Sequence, residues 1–458
     1  MGVKRLTALL ERFAPACITT PTAKDLRGWC VGIDSNIFIH KFFRGMDART
    51  VDPERRHLHG IHRMALFMKS ANITPVFVFD NAEPTEWKLN EISRRQLAKA
   101  VVSLEHQSEI ERAARIAVYR RILKLCIGIG EIDSGAAEYM SMPSAPDASA
   151  SSTRADELVS ALCASNATPS SLRAAATEWL LIASEQLNEM VLSRAKKPTI
   201  ESRLSTLEHA FCLLLLDLLS DAKAPDVQDP AHVTQSLASL IRFNDERLEK
   251  LSRRSAPLTE EHIEECQALV LALGFAACTA GSGMESEAVC ASLDAAGIVD
   301  ATCSEDLDVL PFGGRRLLRN FGSPNGQMVL IDSARALSEL QLTREAFIDL
   351  CILCGTDFSS TLKSVGPITA LKLIQQHGSI ESILATGEYE PREFFDYEIA
   401  RRIFASKTQL PFSSRDELRP GQEQPEVLDR LLPDRKSDYA PGASQFLSGD
   451  PFAQNIVY

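Results

Sequence analysis

The 458-residue chain predicts an α/β fold, a mostly parallel sheet flanked by helices and interrupted by a large helical insertion. Three observations carry this. Apolar runs of strand length, Gly28–Asp34, Pro75–Asp80 and Ile298–Cys303, alternate with helical patterns. Each run ends in or leads into aspartate: Asp34, Asp80, and Asp306 with Asp308. Between the second and third runs, 96–258 holds several amphipathic helical stretches around a linker.

In chain order, the run Gly28–Asp34 reads as a buried strand and is followed by a helix over 37–43. A second helix over 57–71 places Leu58, Ile61, Met64, Ala65 and Met68 on one face. Pro75–Asp80 is the second buried strand. The helical text then runs over 104–126, 154–166, 170–193 and 199–220, with a Ser/Pro/Ala linker at 142–153 and no repeat of fixed period. A small-residue helix leads to Gly297, a helix stop, and Ile298–Cys303 is the third strand. An apolar helix over 346–355 precedes Thr356-Asp357-Phe358. The segment Leu362–Ile374 then reads as helix–hairpin–helix, with Gly366-Pro367 opening its second helix. The expected organisation is a core in two parts, 1–95 and 259–405, a helical cap or insertion at 96–258, and an irregular tail at 406–458.

Bulk properties narrow the function. A length of 458 residues with 45% hydrophobic side chains excludes wholesale disorder and allows more than one domain. Eleven cysteines scattered through apolar segments suit reduced thiols, and Cys351-Ile-Leu-Cys354 reads as core because no second pair accompanies it. No stretch approaches the ~18 apolar residues of a membrane span, so no membrane association is expected. Lys24, Asp25 and Arg27 interrupt any leader-like apolar run, so no secretory signal is expected. The net charge of −12 argues against a general polyanion binder, yet residues 1–100 hold 16 Lys/Arg against 10 Asp/Glu. A basic first part beside an acidic remainder is compatible with a local nucleic-acid footprint.

The chemistry concentrates in 283–313, where the pairs Glu285/Glu287 and Asp306/Asp308 lie 21 residues apart. Helix and strand between them fold back and bring the pairs to one end of the sheet. Alone, each pair reads equally as a solvated acidic turn. Ligands of parallel sheets sit at the carboxyl ends of the strands, where Asp34 and Asp80 also arrive. Carboxylates converging there repel unless cations lie among them, and hard divalent ions want oxygen ligands. Asp357 supplies a seventh carboxylate. Gly366 leaves backbone N–H groups open at a helix start, a place that can hold a phosphate; an ordinary turn is the other reading.

Taken together, these residues resemble the flap endonuclease/XPG family of structure-specific 5′ nucleases. The resemblance runs through Met1-Gly-Val-Lys-Arg-Leu, Asp34, the strand ending at Asp80, Ser286-Glu-Ala, Ser304-Glu-Asp-Leu-Asp308, Cys354-Gly-Thr-Asp357 and Ser364-Val-Gly-Pro-Ile-Thr-Ala370. It covers about 1–100 and 259–405 and is closest to the flap endonuclease branch. It implies a PIN-like nuclease core that cuts branched or flapped DNA with two Mg²⁺ ions, Mn²⁺ serving as substitute. It assigns Asp34, Asp80, Glu285 and Glu287 to one metal side and Asp306, Asp308 and Asp357 to the other. It also implies a basic pair, Lys88 and Arg95 with Arg94 as stand-in, against the scissile phosphate. A solvated helix face is the alternative for that pair. Gly2 would lie under the DNA backbone and His40 would stack on a base, a core histidine being the other reading. A monovalent cation at the helix–hairpin–helix turn, a nuclear location and a monomeric state complete the expectation. The sequence departs from the family at Lys4-Arg5, Met64, Ser364 and Ile368-Thr369, and its tail holds neither a sliding-clamp motif nor a lysine-rich nuclear signal.

Overall fold

The computed structural model describes residues 2–45, 52–81, 89–127, 157–162, 168–194, 200–220, 230–321, 327–406 and 408–434. The chain divides into two compact units, one formed by Met1–Leu97 with Pro257–Tyr458 and the other by Ala98–Ala256.

The first unit is built on a seven-stranded sheet: β1 (Ile18–Thr19), β2 (Cys30–Asp34), β3 (Thr74–Phe79), β4 (Ala276–Thr279), β5 (Ala301–Cys303), β6 (Arg316–Arg319) and β7 (Val329–Asp332), in the order β1-β7-β6-β5-β2-β3-β4. The five strands from β6 to β4 are parallel, and β7 and β1 add antiparallel at one edge. Strand side chains alternate between faces. Val31, Ile33, Phe77 and Phe79 pack with the helices Ser35–Gly45, Arg56–Ser70 and Glu260–Ala272. Cys30, Val76 and Val78 meet Val289, Cys290 and Leu293 of the helix Ser286–Ala295. Both faces are thus covered, which is why β2 and β3 read as continuous apolar runs. A third cluster joins the helix Leu6–Phe13 to Arg344–Cys354 and Pro367–His377, and it buries Cys351 and Cys354 as core side chains.

Two strands are shorter than the sequence pattern suggests. Gly28 takes φ +82 and donates its N–H to the Asn72 carbonyl, so extended pairing begins only at Cys30. Gly297 takes φ +76 after its helix, and Asp300 turns its carboxylate back onto the Cys30 N–H at 2.7 Å, so β5 begins at Ala301.

The reading of 406–458 as an irregular tail is corrected for its described part. Residues 408–434 form a strap across the first unit, ending in the helix Pro425–Leu431. Gly421 donates to the Gly274 carbonyl at 2.7 Å and Gln424 to the Ala272 carbonyl at 2.8 Å. Arg415 grips Asp300 through both guanidinium ends and reaches the Gly28 carbonyl. Leu418, Leu428 and Leu432 are buried in the core clusters. Six prolines from 411 onward suppress periodicity, but long-range bonds supply the order that local propensity lacks.

The second unit is helical, with the helix Leu89–Ile127 entering it and Pro169–Arg194, Ile200–Ser220 and Pro230–Ser255 following. Tyr119 packs edge-on against Trp179 and Phe211, each at 5.6 Å between ring centroids. Beside them lies an ion network in which Arg112, Glu109, Glu208 and Ser205 are fully buried and Arg115 partly so. Glu208 accepts from Arg112 at 2.9 Å and Arg115 at 2.6 Å, while Arg112 also bonds Glu109 and Ser205. The expected linker 142–153 lies outside the described residues. Among the described residues, no helix is long and apolar enough to cross a membrane.

Candidate active site

The parallel strands deliver acidic residues to one end of the sheet. Asp34 closes β2 and is almost fully buried. Its carboxylate accepts the Ser286 hydroxyl at 2.8 Å and the Ser304 hydroxyl at 2.6 Å. Asp80 follows β3 directly, accepts the Ser286 backbone N–H at 2.8 Å, and donates its own N–H to Asn36 at 3.2 Å. Ser286 is the first residue of its helix, whose N-cap Glu285 makes no side-chain capping bond. Asp80 therefore caps that helix from another strand, and its negative charge sits favourably at the positive end of the dipole.

After β5 the chain makes a tight acidic loop. The Asp306 N–H donates to the Ser304 hydroxyl at 2.9 Å, and the Asp308 N–H donates to the Asp306 carboxylate at 3.0 Å. Ser304 thus links Asp306 to Asp34, as Ser286 links Asp80 to Asp34. Glu287 lies buried in the first helical turn, and Asp306 and Asp308 are buried as well. The electrostatic consequence shows at Asp34. Burial, then the charge of Asp80, and more weakly that of Asp306, push its carboxyl up to about 7 against the two hydroxyls that favour ionisation.

The N-terminus closes the cluster. Gly2 takes φ +72, and a Cβ there would run into the Asp306 carboxylate and come within 2.6 Å of the Asp308 carboxylate oxygen. Only glycine combines that conformation with that approach. Two residues on, the Lys4 N–H donates to the Gly355 carbonyl at 3.0 Å, tying the segment before Asp357 to the same N-terminal stretch.

With this geometry in view, comparison with known proteins is informative. Residues 1–101 match the XPG N-terminal domain and residues 276–357 the XPG I-region. Both matched segments lie almost wholly in the sheet unit. Flap endonuclease 1 of Zea mays is 40% identical over 200 residues, covering 40% of this chain and 52% of that protein. Flap endonuclease 1 of Ostreococcus lucimarinus is 42% identical over 189 residues, covering 40% and 48%. The chain thus spans about half the length of the curated relatives it matches. Among solved structures, the catalytic core of Rad2 in complex with DNA substrate matches with a TM-score of 0.52 at 15% identity, covering 97% of this chain and 98% of that one. That likeness shows the fold.

The sheet unit brings Asp34, Asp80, Ser286, Ser304, Asp306, Asp308 and Gly2 into one bonded and contacting set. Glu285 and Glu287 flank Ser286, and Asp357 follows the segment held by Lys4. His40 is exposed on the helix after Asp34. Gly366 stands at the N-cap of Pro367–His377 with open space where a Cβ would be, and Ser364 takes the positive φ of that hairpin. Lys88 lies outside the described residues. Arg94 and Arg95 fall within the helix Leu89–Ile127, where their side chains are outside the description. Sequence reasoning missed the roles of Ser286, Ser304 and Asn36. The first two were visible only as neighbours of the acids, because a serine hydroxyl reveals its acceptor only once the fold sets it.

Among the described residues, no three acidic, histidine or cysteine side chains gather tightly enough to hold an ion by themselves. The donor chemistry nevertheless suits Mg²⁺. That ion keeps several waters and takes one or two carboxylates, the rest of its shell coming from water and substrate phosphate. The set is all oxygen, and a divalent charge would offset both the burial and, after it, the Asp80 and Asp306 charges that raise the Asp34 carboxyl.

Proposed function

We propose that this chain is a structure-specific DNA nuclease, cutting phosphodiester bonds at 5′-flap or similar branched junctions. The observation that carries the reading is the set of buried carboxylates at the carboxyl ends of parallel strands, clamped by Ser286 and Ser304 and closed by Gly2. The XPG domain matches and the flap endonuclease names of the relatives support it.

Asp80, Glu285 and Glu287, with Asp34 behind them, would hold one Mg²⁺, and Asp306, Asp308 and Asp357 a second, with Mn²⁺ as substitute. Such ions lower the pKa of an attacking water and stabilise the entering and leaving oxygens of an in-line displacement. The protein's own residues do the positioning. Ser286 and Ser304 fix the Asp34 carboxylate between the two acidic groups, and the Asp80 cap orients the helix that presents Glu285 and Glu287. Gly2 leaves room for the scissile strand. Lys88 and Arg95, or Arg94 in its place, would neutralise charge building on the phosphate. His40, exposed on the helix after Asp34, would stack on a base, and the helix start at Gly366 would hold a phosphate downstream, with a monovalent cation at that turn. The division follows: the sheet unit cuts, and the helical unit governs strand entry. A monomer acting in the nucleus completes the reading.

The test is a cleavage assay on end-labelled flap, bubble and nicked duplexes with Mg²⁺. Cutting at the flap base supports the proposal, and preference for nicked ends or bubbles makes the protein an exonuclease or excision nuclease of the same family. No cutting of any substrate by folded protein makes it an inert scaffold and refutes the proposal.

A further inference from the structure

Beside the acidic loop, on the β6 side, lies a cationic pair to which none of the roles above is assigned. Lys41 sits on the helix that follows Asp34, and Arg319 closes β6, a strand parallel to β5. Arg319 therefore emerges at the carboxyl end of the sheet, the end that carries Asp34, Asp80 and Asp306, and the Lys41 ammonium reaches the same end by its contacts with Glu305 and the Phe321 carbonyl. Among the described residues, the one acidic group they share is Glu305, which stands between Ser304 and Asp306 in the loop itself.

The distances show how loosely the cations are held. The Lys41 ammonium is 3.6 Å from the Glu305 carboxylate, 3.4 Å from the Phe321 carbonyl and 5.8 Å from the centre of the Phe38 ring. The Arg319 Nε is 3.9 Å from Glu305, beyond hydrogen-bond reach. Arg319 spends its other nitrogens on scaffolding, bonding the Thr7 hydroxyl at 2.9 Å and the Glu305 backbone carbonyl at 3.3 Å. Glu305, in contrast, has a firm structural bond of its own, accepting the Asn320 N–H at 3.1 Å. All three side chains remain about one-fifth exposed. Two positive charges thus face one carboxylate at ion-pair distance, an excess of +1 at the rim of a strongly acidic site, with the Arg319 Nε itself buried and unbonded.

An isolated positive rim there has a chemical use. A DNA strand led towards seven carboxylates is repelled by them, and a cation beside them offsets that repulsion for the phosphate next to the one being cut. We infer that Lys41 and Arg319 form a phosphate-binding clamp for the DNA strand beside the acidic site, with the Glu305 carboxylate as the occupant that a backbone phosphate displaces. This deepens the nuclease reading and rests on it. Lys41 is the binding group proper. Arg319 contributes charge while holding the loop that carries Asp306, so it is also a positioning residue.

The experiment measures the affinity of the full chain for a labelled nicked duplex in EDTA, so that nothing is cut, across a range of salt concentrations. Lys41→Gln should weaken binding about three- to tenfold at low salt and reduce the slope of log affinity against log salt by about 1, the loss of one phosphate contact. Lys41→Arg should restore the slope. Glu305→Gln keeps an oxygen for the Asn320 N–H but removes the competing charge, and it should tighten binding about threefold. An unchanged slope in Lys41→Gln, or weaker binding in Glu305→Gln, would overturn the clamp while leaving cleavage by the wild-type chain intact. Absence of both DNA binding and cleavage in the wild type would instead refute the nuclease reading, and the clamp with it.

Discussion

Replacing Gly2 with alanine tests the closeness of the N-terminus to the acidic loop. The new Cβ would lie 2.6 Å from the Asp308 carboxylate oxygen, against the 3.4 Å at which ordinary contact begins, and closer still to Asp306. One or both carboxylates must therefore move by about 0.8 Å or more. A displacement near 1 Å at a reacting centre costs on the order of 100-fold in rate, about 2.7 kcal/mol. Alanine at φ +72 adds a backbone cost of about 1–2 kcal/mol in stability. Gly387→Ala is the control, because Gly387 has φ +70 and open space where its Cβ would be. It should show the stability loss without the rate loss. The assay is single-turnover cleavage of a labelled flap duplex, paired with thermal unfolding of all three proteins. If Gly2→Ala cleaves within threefold of wild type, or Gly387→Ala loses as much activity, the argument from contact at Gly2 is wrong.

Three further outcomes follow from other parts of the structure. Asp34 keeps its proton up to about 7 in the folded protein but only to about 3.8 in the unfolded chain, so the folded state binds more protons between those values. Its contribution to stability is fully present below pH ~4 and is lost as pH rises to about 7, by at most about 4 kcal/mol; unfolding of metal-free protein across that window should show the fall, and Asp34→Asn should flatten it. Leu428→Ala, in the strap, should cost about 2–5 kcal/mol by chemical denaturation, since the side chain is buried against the core; a loss under 1 kcal/mol would mean the strap is not part of the folded unit. Arg112→Met leaves Glu109 and part of Glu208 buried without their cation and should destabilise the helical unit by about 3–5 kcal/mol, with Glu109→Gln restoring part of the loss; equal unfolding of single and double variants would contradict the network.

Legibility in the sequence followed how each element gains its stability. β2 and β3 were readable because strands covered on both faces need apolar side chains at every position, and Val31, Ile33 and Val76 to Phe79 supply them. β4, Ala-Ala-Cys-Thr, and β6, Arg-Leu-Leu-Arg, were not, because strands of four residues are defined by their partners more than by their own pattern. The placement of Asp34 and Asp80 at strand ends was legible for the same reason as the strands themselves. The hydroxyls joining them were not, since nothing local tells Ser286 or Ser304 from any other helix-start or loop serine. The strap shows the limit most clearly: Arg415 is 115 residues from Asp300 in sequence, and no local rule anticipates that pair.

The central claim, that the acidic end of the sheet is a metal-dependent cutting site, meets its most direct test in one measurement: single-turnover cleavage of a labelled 5′-flap duplex by wild type and Asp80→Asn, each with Mg²⁺ and with EDTA. The account predicts cutting at the flap base by wild type with Mg²⁺ alone, and a fall of several orders of magnitude in Asp80→Asn while its DNA affinity stays level or rises. Cleavage that persists in EDTA, or an Asp80→Asn rate within tenfold of wild type, would contradict it.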